Sequence, residues 1–260
     1  MMNNKYLVLL YQALFIIGFI ALWELFAQLN LLNTFLFSSP SSIIKLIFDY
    51  FRNGELLRHI NISVFETLLG LIIGTTLGIV IAMLLWFSPS FTKIFDPILV
   101  MLNALPKTAI APILIIWAGT GIKGIVVVSI SLSLAITVIS ALNYFNSADK
   151  TKIKMLKVLK ANKFQILIKL ILPSNIDNIF NIIKINIGMA WIGVIVGEFL
   201  VSREGIGYLI VYGSQVFRMD IVMMGVFILS LISLFMYFIL NMIKKIFYKI
   251  THLKPSSNNH

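Results

Sequence analysis

Long apolar runs alternate with short polar segments along this chain, and the length of the runs sets the first constraint on its structure. A helix needs roughly 20 mostly apolar residues to cross a bilayer. Six runs are long enough: 7–29, 62–87, 95–117, 123–145, 178–201 and 221–243. A helix satisfies its backbone hydrogen bonds within one segment, as lipid requires. The pattern therefore predicts an all-α integral membrane protein with six transmembrane helices.

The segment between the first two runs predicts a short helix lying on the outer surface of the membrane. In "SSPSSIIKLIFDYFRNGELL", Ser41 or Ser42 can cap the helix and Gly54 can end it. One side is apolar. We predict three regions: 1–60 with the first span and this helix, a transport core over 61–245 with five spans, and a polar cytoplasmic tail over 246–260.

Composition agrees with the membrane class. The chain is 59% hydrophobic and 12% charged, with a mean hydropathy of +0.98, whereas soluble domains are about half apolar and about a quarter charged. The net charge of +11 would point to nucleic acid in a soluble protein. Here, lysines that flank the spans explain the positive net charge better than nucleic-acid binding does. The chain has no cysteine, and its three histidines, His59, His252 and His260, lie far apart and suggest no metal site.

The distribution of basic residues predicts the topology. With the N-terminus inside, fourteen of the 21 lysines and arginines fall on the cytoplasmic side and six on the outer side, while Lys107 falls within a span. The excess of basic residues marks the cytoplasmic side. We therefore expect a multi-pass protein of the cytoplasmic membrane with both termini inside the cell.

Small residues at regular spacing predict close helix packing. Gly70, Gly74 and Gly78 recur every four residues in the second span, and Gly193 and Gly197 repeat the spacing in the fifth. Small residues on one face allow two membrane helices to approach each other closely.

The most basic segment lies between the fourth and fifth spans, where seven lysines fall between Lys150 and Lys169. The sequence predicts two helices here. Asn162 with Gln165 has the form of a capping box that begins the second helix, Pro173 is expected to stop it, and Ser174 or Asn175 to cap the next span. Apolar residues in the segment, such as Leu156, Leu159 and Phe164, leave two interpretations open: another protein docks there, or the loop packs on the bundle.

This segment resembles the cytoplasmic coupling loop of bacterial ABC-importer permeases, the motif E-A-A-x3-G-x9-I-x-L-P. The likeness extends over nearly the whole chain, and the order and spacing of its segments resemble the nitrate/sulfonate/taurine branch and the related thiamine-pyrimidine-precursor permeases. The segments are "WEL" (23–25), "SSPSSI" (38–43), "DPILVMLNALPKTAIAPILIIWAGTG" (96–121), "LPSNIDNIF" (172–180), "GMAWIGVIVGEFL" (188–200) and "GIGYLI" (205–210).

The sequence departs from the family pattern in two places, the loop and the second span. Lys160 replaces the central glycine of the loop, so Lys160 or a neighbour must adopt a conformation that glycine takes more cheaply. The leading acidic-alanine triplet is absent as well. Glu66 stands where sulfonate-type members usually carry arginine, which weakens a sulfonate assignment.

The resemblance implies a type I ABC-importer permease fold with a coupling helix in a loop of about 149–173. It implies a homodimer in the lipid bilayer, two ATPase subunits that hold ATP and Mg²⁺, and an external solute-binding protein. The implied substrate is a nitrate-, sulfonate-, taurine- or bicarbonate-like anion, or a pyrimidine precursor. The residues implied in ATPase coupling are Leu156, Leu159, Lys160, Ala161, Asn162, Phe164 and Pro173.

The residues themselves argue against catalysis by this chain. No G-x-x-x-x-G-K-[ST] phosphate loop occurs, and "GTGIKG" at 119–124 has the wrong spacing and predicts a turn. No metalloprotease or serine–histidine motif supports a membrane enzyme. We therefore expect a transporter subunit that is not an enzyme and binds no cofactor. The alternative is an ion-coupled carrier or channel without an ATPase, although the internal repeats typical of such carriers are not evident.

Ionisable residues within the spans are the candidates for the translocation path. Charge at the centre of a membrane helix costs about 2.5–3.5 kcal/mol on insertion scales, so it usually faces protein or water and has a partner. The candidates are Glu66, Lys107 and Glu198, with Trp191 added by position. The alternative is structural: Lys107 pairs with Glu198 or Glu66, and Trp191 and Trp117 only anchor the packing.

Overall fold

The computed structural model describes residues 3–251, in which helices joined by short turns account for almost every residue and no β-strand occurs. In chain order the helices are α1 (Asn3–Gln28), α2 (Thr34–Phe37), α3 (Pro40–Arg52), α4 (Glu55–Phe87), α5 (Pro89–Ala104), α6 (Lys107–Ala118), α7 (Ile122–Asn146), α8 (Lys150–Val158), α9 (Lys163–Ile166), α10 (Leu172–Ser174), α11 (Ile176–Val201), α12 (Ile206–Gln215) and α13 (Met219–Thr251). A π-helical turn, Leu167–Ile171, joins α9 to α10. The predicted all-α class is confirmed.

Within residues 3–251, five helices are long and apolar enough to cross a membrane: α1, α4, α7, α11 and α13. The third predicted span, 95–117, is not a single helix, because α5 and α6 meet there at a 99° bend. Leu105 is extended (φ −61°, ψ 134°), as residues before proline prefer to be, and Pro106 has no N–H to continue the helix. The six predicted spans are therefore five single helices and one bent pair.

The chain forms two compact units. One contains the residues up to Asn61 together with Glu204–Ser230, and the other contains Ile62–Arg203 together with the residues from Leu231 onward. Of the predicted tail 246–260, the part from 252 onward, with His252 and His260, lies outside the described residues, and α13 extends to Thr251.

In the first unit, α3 is the amphipathic helix predicted between the first two spans. Its N-cap is Ser39, whose hydroxyl accepts from the Ser42 N–H, so the prediction of a cap at Ser41 or Ser42 was wrong. Pro40 takes the first helical position, where its missing N–H costs nothing. Gly54 follows the helix with φ +75°, as predicted for the residue that ends it.

The same unit contains α12, a helix that the hydrophobic pattern did not separate from its surroundings. The Gly205 N–H at its start donates to His59 Nδ1 at 2.9 Å, and Arg58 forms an ion pair with Glu204. The ring of His59 stacks on that of Tyr208, with 5.9 Å between centroids. His59 therefore holds the start of α12 in place by direct contacts.

In the second unit, α7 is the most buried of the candidate spans and packs extensively against α11. The predicted glycine stripes account for the close approach. A Cβ added to Gly70, Gly74 or Gly78 would lie within 2.6 Å of side-chain atoms of Ser129, Ser133 and Thr137 respectively, all on α7. On α11, a Cβ at Gly193 would lie 2.4 Å from the Cα of Ser129, and one at Gly197 would lie 3.0 Å from the Cα of Ile125.

A buried amide adds a polar link to this packing. Asn186 on α11 is fully buried, and its Nδ2 donates to the hydroxyls of Thr75 on α4 and Thr137 on α7, each at 2.8 Å. Interhelical hydrogen bonds of this kind stabilise helix association in lipid, where apolar surface supplies no drive. Asn186 was not singled out from the sequence, although an asparagine in the middle of an apolar run is the signal that could have identified it.

Candidate functional site

The predicted coupling loop begins with a well-capped helix. The Asp149 carboxylate accepts from the Thr151 N–H at 2.8 Å, and this bond holds the pKa of Asp149 below its usual value. At the other end, the N–H of Lys160 donates to the carbonyl of Lys157, and that of Ala161 to the carbonyl of Leu156. This pair of bonds is a Schellman motif, whose key residue is left-handed. Lys160 fills that position with φ +60°, which confirms the predicted conformation.

The second loop helix begins at the predicted capping box. The Asn162 side chain accepts from the Gln165 N–H at 2.8 Å, and the Gln165 side chain accepts from the Asn162 N–H at 2.9 Å. The reciprocal bonds satisfy two donors that a helix start leaves free. The loop is thus two helices, α8 and α9, with a fixed turn between them.

The prediction that Pro173 stops the second helix was wrong. Ahead of the proline the helix widens into a π-turn, in which the Leu172 N–H donates to the carbonyl of Leu167, five residues earlier. The wide turn makes room for a ring that would collide with an α-helical carbonyl. The break comes at Asn175, whose side chain caps no N–H and instead donates to the Ile171 carbonyl at 2.9 Å. The loop therefore continues into α11 through three residues of α10 and one turn.

The loop of α8, α9 and the turn between them has an inward and an outward apolar face. The inward residues Ile153, Leu156 and Ala161 pack on a buried cluster that contains Phe145 and Ile171. The outward residues, which we call the outer loop face, are Met155, Val158, Leu159 and Phe164, with exposures of 63%, 83%, 67% and 59%. The interpretation that the loop packs on the bundle therefore applies to the inward residues, whereas the outer loop face presents exposed apolar side chains. Of the predicted coupling residues, Leu156 and Ala161 face the bundle, whereas Leu159 and Phe164 lie on the outer loop face.

A polar contact also attaches the loop to the end of α4. Lys163 Nζ donates to the Phe87 carbonyl at 3.0 Å. Phe87 is the last residue of α4, where helix carbonyls have no partner within the helix. A lysine near that end also interacts favourably with the helix dipole. The loop is thus fixed to the bundle by apolar packing at α8 and by this contact at α9.

Lys107 lies at the bend between α5 and α6. Its Nζ donates to the Asn103 carbonyl at 3.3 Å and to the Asn103 side chain at 3.4 Å. Asn103 belongs to the last turn of α5, whose carbonyls lack helical partners. The ammonium group therefore caps the C-terminal end of α5, while its side chain stays partly exposed.

Lys107 pairs with neither glutamate, so the predicted structural pair with Glu198 or Glu66 was wrong. The two glutamates are each 1% exposed and form a hydrogen bond with each other. Ser63, which was not a predicted site residue, donates to Glu198 Oε1 at 2.5 Å. The sequence alone could not reveal this pairing, because it depends on the relative rotation of α4 and α11.

The tryptophans differ in their surroundings. Trp191 on α11 is 3% exposed, and its Nε1 has no hydrogen-bond partner within the described residues. Trp117 at the end of α6 is 79% exposed. Of the four residues predicted for the translocation path, the structure brings Glu66 and Glu198 together in the interior and leaves Lys107 at the bend.

Comparison with known proteins places these features in a family. Residues 74–249 match the family described as the inner membrane component of binding-protein-dependent transport systems. The chain is 29% identical over 231 residues to a probable ABC transporter permease protein of Haemophilus influenzae, covering 88% of this chain and 93% of that protein. It is 28% identical to a putative aliphatic sulfonates transport permease of Bacillus subtilis, covering 82% and 78%, and 26% identical to a formylaminopyrimidine transport permease of Halalkalibacterium halodurans, covering 86% and 90%.

Proposed function

The chain belongs to the family of inner membrane components of binding-protein-dependent transport systems, and from this premise we propose that it forms the translocation path of an ATP-driven importer and receives the force of ATP binding through its loop of α8 and α9. Permeases of this family work with a solute-binding protein and a separate ABC ATPase. The main support for the proposal is the exposure of the apolar residues on the outer loop face.

The composition of the outer loop face supports the docking of a protein. Contiguous exposed apolar residues outside the membrane spans mark interaction surfaces, and methionine and phenylalanine are enriched in such interfaces. Exposed lysines alternate with the residues of this face along the chain, including Lys154, Lys157 and Lys160. A partner with acidic groups around an apolar groove would match it. We assign this partner as the ATPase.

The attachment of the loop supports transmission of force. Its inward face packs on the buried cluster, Lys163 fixes it to α4, and the π-turn leads into α11. Packed elements move as units because protein interiors are dense. A displacement of the loop would therefore move the start of α11, and with it the helix that packs on α7.

We propose that the loop and both termini face the cytoplasm and that two copies of the chain assemble in the lipid bilayer. The lysine content of the loop supports this orientation, since basic residues accumulate on the cytoplasmic side. The exposed apolar surface of α1, which is almost unburied in one chain, supports contact with lipid or with a second copy. Reporter domains fused to each terminus, whose signal depends on the side of the membrane, would test the orientation. Crosslinking in native membranes would test the dimer.

For the substrate, we propose a small solute of one of two classes: an anion of the nitrate, sulfonate, taurine or bicarbonate kind, or a pyrimidine precursor. The relatives named for sulfonates and for formylaminopyrimidine support both classes. Lys107, which is partly exposed at the bend, would favour an anion. Direct binding measurements on the partner solute-binding protein, with both classes of ligand, would decide between them.

Docking can be tested by the Phe164→Asp substitution. A buried aromatic anchor of an interface contributes about 2 kcal/mol or more, so we expect the affinity for the ATPase to fall about thirtyfold or more. Co-purification and titration with the ATPase would measure this. Phe48→Asp on α3 is the matched control, because Phe48 is similarly exposed (64%, against 59% for Phe164) and lies outside the loop. Equal ATPase binding by both variants would refute docking at this face.

The role of Lys107 in the path can be tested by Lys107→Ala. If the ammonium group contacts an anionic substrate, uptake should fall while assembly with the ATPase is retained. Lys107→Arg should restore part of the uptake, since it keeps the charge. Unchanged uptake by the alanine variant at equal expression would remove Lys107 from the path and leave it as the cap of α5.

A further inference from the structure

Two carboxyl groups meet in the interior of the second unit, where α4 contacts α11. Glu66 and Glu198 are each 1% exposed, and their side chains form a hydrogen bond with each other. An ionised carboxylate can only accept a hydrogen bond, so this bond needs a proton on one of the two groups. Two carboxylates in contact cannot both remain ionised, because their charges repel.

We propose that Glu66 and Glu198 form a proton-binding site, in which one shared proton joins α4 to α11 in the folded importer at neutral pH. The site lies outside the coupling loop and involves neither ATP nor the loop's partner. The ligand is a proton, and the two glutamates are positioning residues that hold the helix leading from the loop.

The contacts assign the proton to Glu66. Ser63 donates to Glu198 Oε1 at 2.5 Å, which favours the ionised form of Glu198. Glu66 Oε2 is buried and has no hydrogen-bond partner within the described residues. An unpartnered buried oxygen costs far less on a neutral carboxyl than on a charged one. Glu66 is therefore the neutral donor and Glu198 the ionised acceptor.

In the described part of the chain, α7 brings an apolar and a hydroxyl side chain to α11 beside this contact. Where α7 packs on α11, it presents Ile125 to Gly197 and Ser129 to Gly193. The ammonium group of Lys107, on α6, is bound to Asn103. The charged group that acts on Glu66 is Glu198 itself. The proton is thus held by the pair, with Ser63 as the polar neighbour.

A metal ion fits the same pair poorly. Calcium takes 6–8 oxygen ligands and magnesium six in an octahedron, and the described residues contain no group of three or more acidic or histidine side chains that could hold a metal. An ion would also lie between the two carboxyl groups, whereas here the groups contact each other directly. The geometry therefore favours a proton.

The shared proton determines how the stability of the folded chain changes with pH. In the unfolded chain, two separated carboxyl groups have both lost their protons well below neutral pH. The folded pair binds one more proton, so stability falls as pH rises and the shared proton is removed. Loss of the proton would leave two carboxylates in contact and weaken the packing of α4 on α11.

Infrared spectroscopy of the full chain, assembled with its ATPase in lipid nanodiscs, tests the site directly. At pH 7 we expect a carbonyl band of a protonated, hydrogen-bonded carboxyl group that shifts in D₂O. Glu66→Gln should abolish the band, and Glu55→Gln, at an exposed position on the same helix, should leave it intact. A wild-type spectrum without the band, or a band that survives Glu66→Gln, would overturn the proposal.

Thermal unfolding against pH supplies a second measurement that does not depend on transport. The unfolding midpoint of the wild type should fall between neutral and alkaline pH, whereas that of Glu66→Gln should stay nearly constant, because the amide N–H can still donate to Glu198. An equal decline in both variants would contradict the proposal. So would a midpoint that rises with sodium or potassium in the wild type only, which would indicate a metal cation.

Discussion

Replacement of Gly193 by alanine tests the central contact of the bundle, where α11 crosses α7. The added Cβ would lie 2.4 Å from the Cα and 2.9 Å from the backbone nitrogen of Ser129. Carbon atoms pack at about 3.5–4.0 Å, so the two helices must separate locally by about 1 Å. No side-chain rotation can relieve this clash, because the opposing atoms belong to the backbone.

The magnitude follows from two opposing effects. Overpacking a dense interior costs about 1–3 kcal/mol, and alanine regains about 1 kcal/mol of helix propensity over glycine. Since the clash is with backbone, we expect the upper part of the range, a net destabilisation of about 1–2 kcal/mol. The measurement is the free energy of unfolding of the purified chain in mild detergent, followed by tryptophan fluorescence.

Gly188→Ala is the matched control for this experiment. Gly188 lies on the same helix, and a Cβ added there meets nothing within 4 Å. That variant should be as stable as the wild type or more stable, since only the propensity gain remains. If Gly193→Ala proved as stable as Gly188→Ala, the close packing of α7 and α11 would be refuted.

Three further outcomes are expected. Asn186→Ala should destabilise the chain by about 1–3 kcal/mol, because it removes the donor to two buried hydroxyls. The control is Asn181→Ala, at an exposed position on the same helix. Equal stability of the two variants would contradict a stabilising role for the Asn186 hydrogen bonds. Lys160→Gly should slow amide exchange in the loop by relieving about 1 kcal/mol of left-handed strain. The control Lys154→Gly, inside α8, should make amide exchange faster. Faster exchange in both variants would count against the Schellman turn. Because the pKa of Asp149 is lowered on folding, its stabilisation of α8 is complete above the ordinary aspartate pKa of about 3.9 and is lost as pH falls through the lower folded value. Amide exchange protection of α8, corrected for the pH dependence of the intrinsic exchange rate, should show this loss in the wild type and not in Asp149→Asn. The same loss in both proteins would refute the capping role.

Most of the fold could be predicted from interactions between residues that are close together in the sequence. Apolar runs gave the spans because a membrane helix satisfies its own backbone. The capping box at Asn162 and the left-handed turn at Lys160 follow from bonds between residues a few positions apart. The glycine stripes indicated which faces would pack, since a missing side chain is a local property with one main use in a membrane helix.

The partners of the buried groups were decided only by the tertiary structure. The structural alternative paired Lys107 with a glutamate, but the bend at Pro106 places its ammonium group on Asn103. Glu66 and Glu198 stand far apart in the chain and meet because the glycine stripes set the distance and rotation of α4 and α11 about α7. Similarly, Pro173 continues a helix because a π-turn ahead of it absorbs the ring.

The sequence by itself thus determined which segments are helices, where several of them are capped and which segment is the most basic. It could not determine which apolar loop residues face the bundle, because Leu156 and Met155 are equally apolar and differ only in their position around α8. Helix formation depends on bonds within a few residues, whereas side-chain pairing depends on the relative placement of helices, which only the packed bundle fixes.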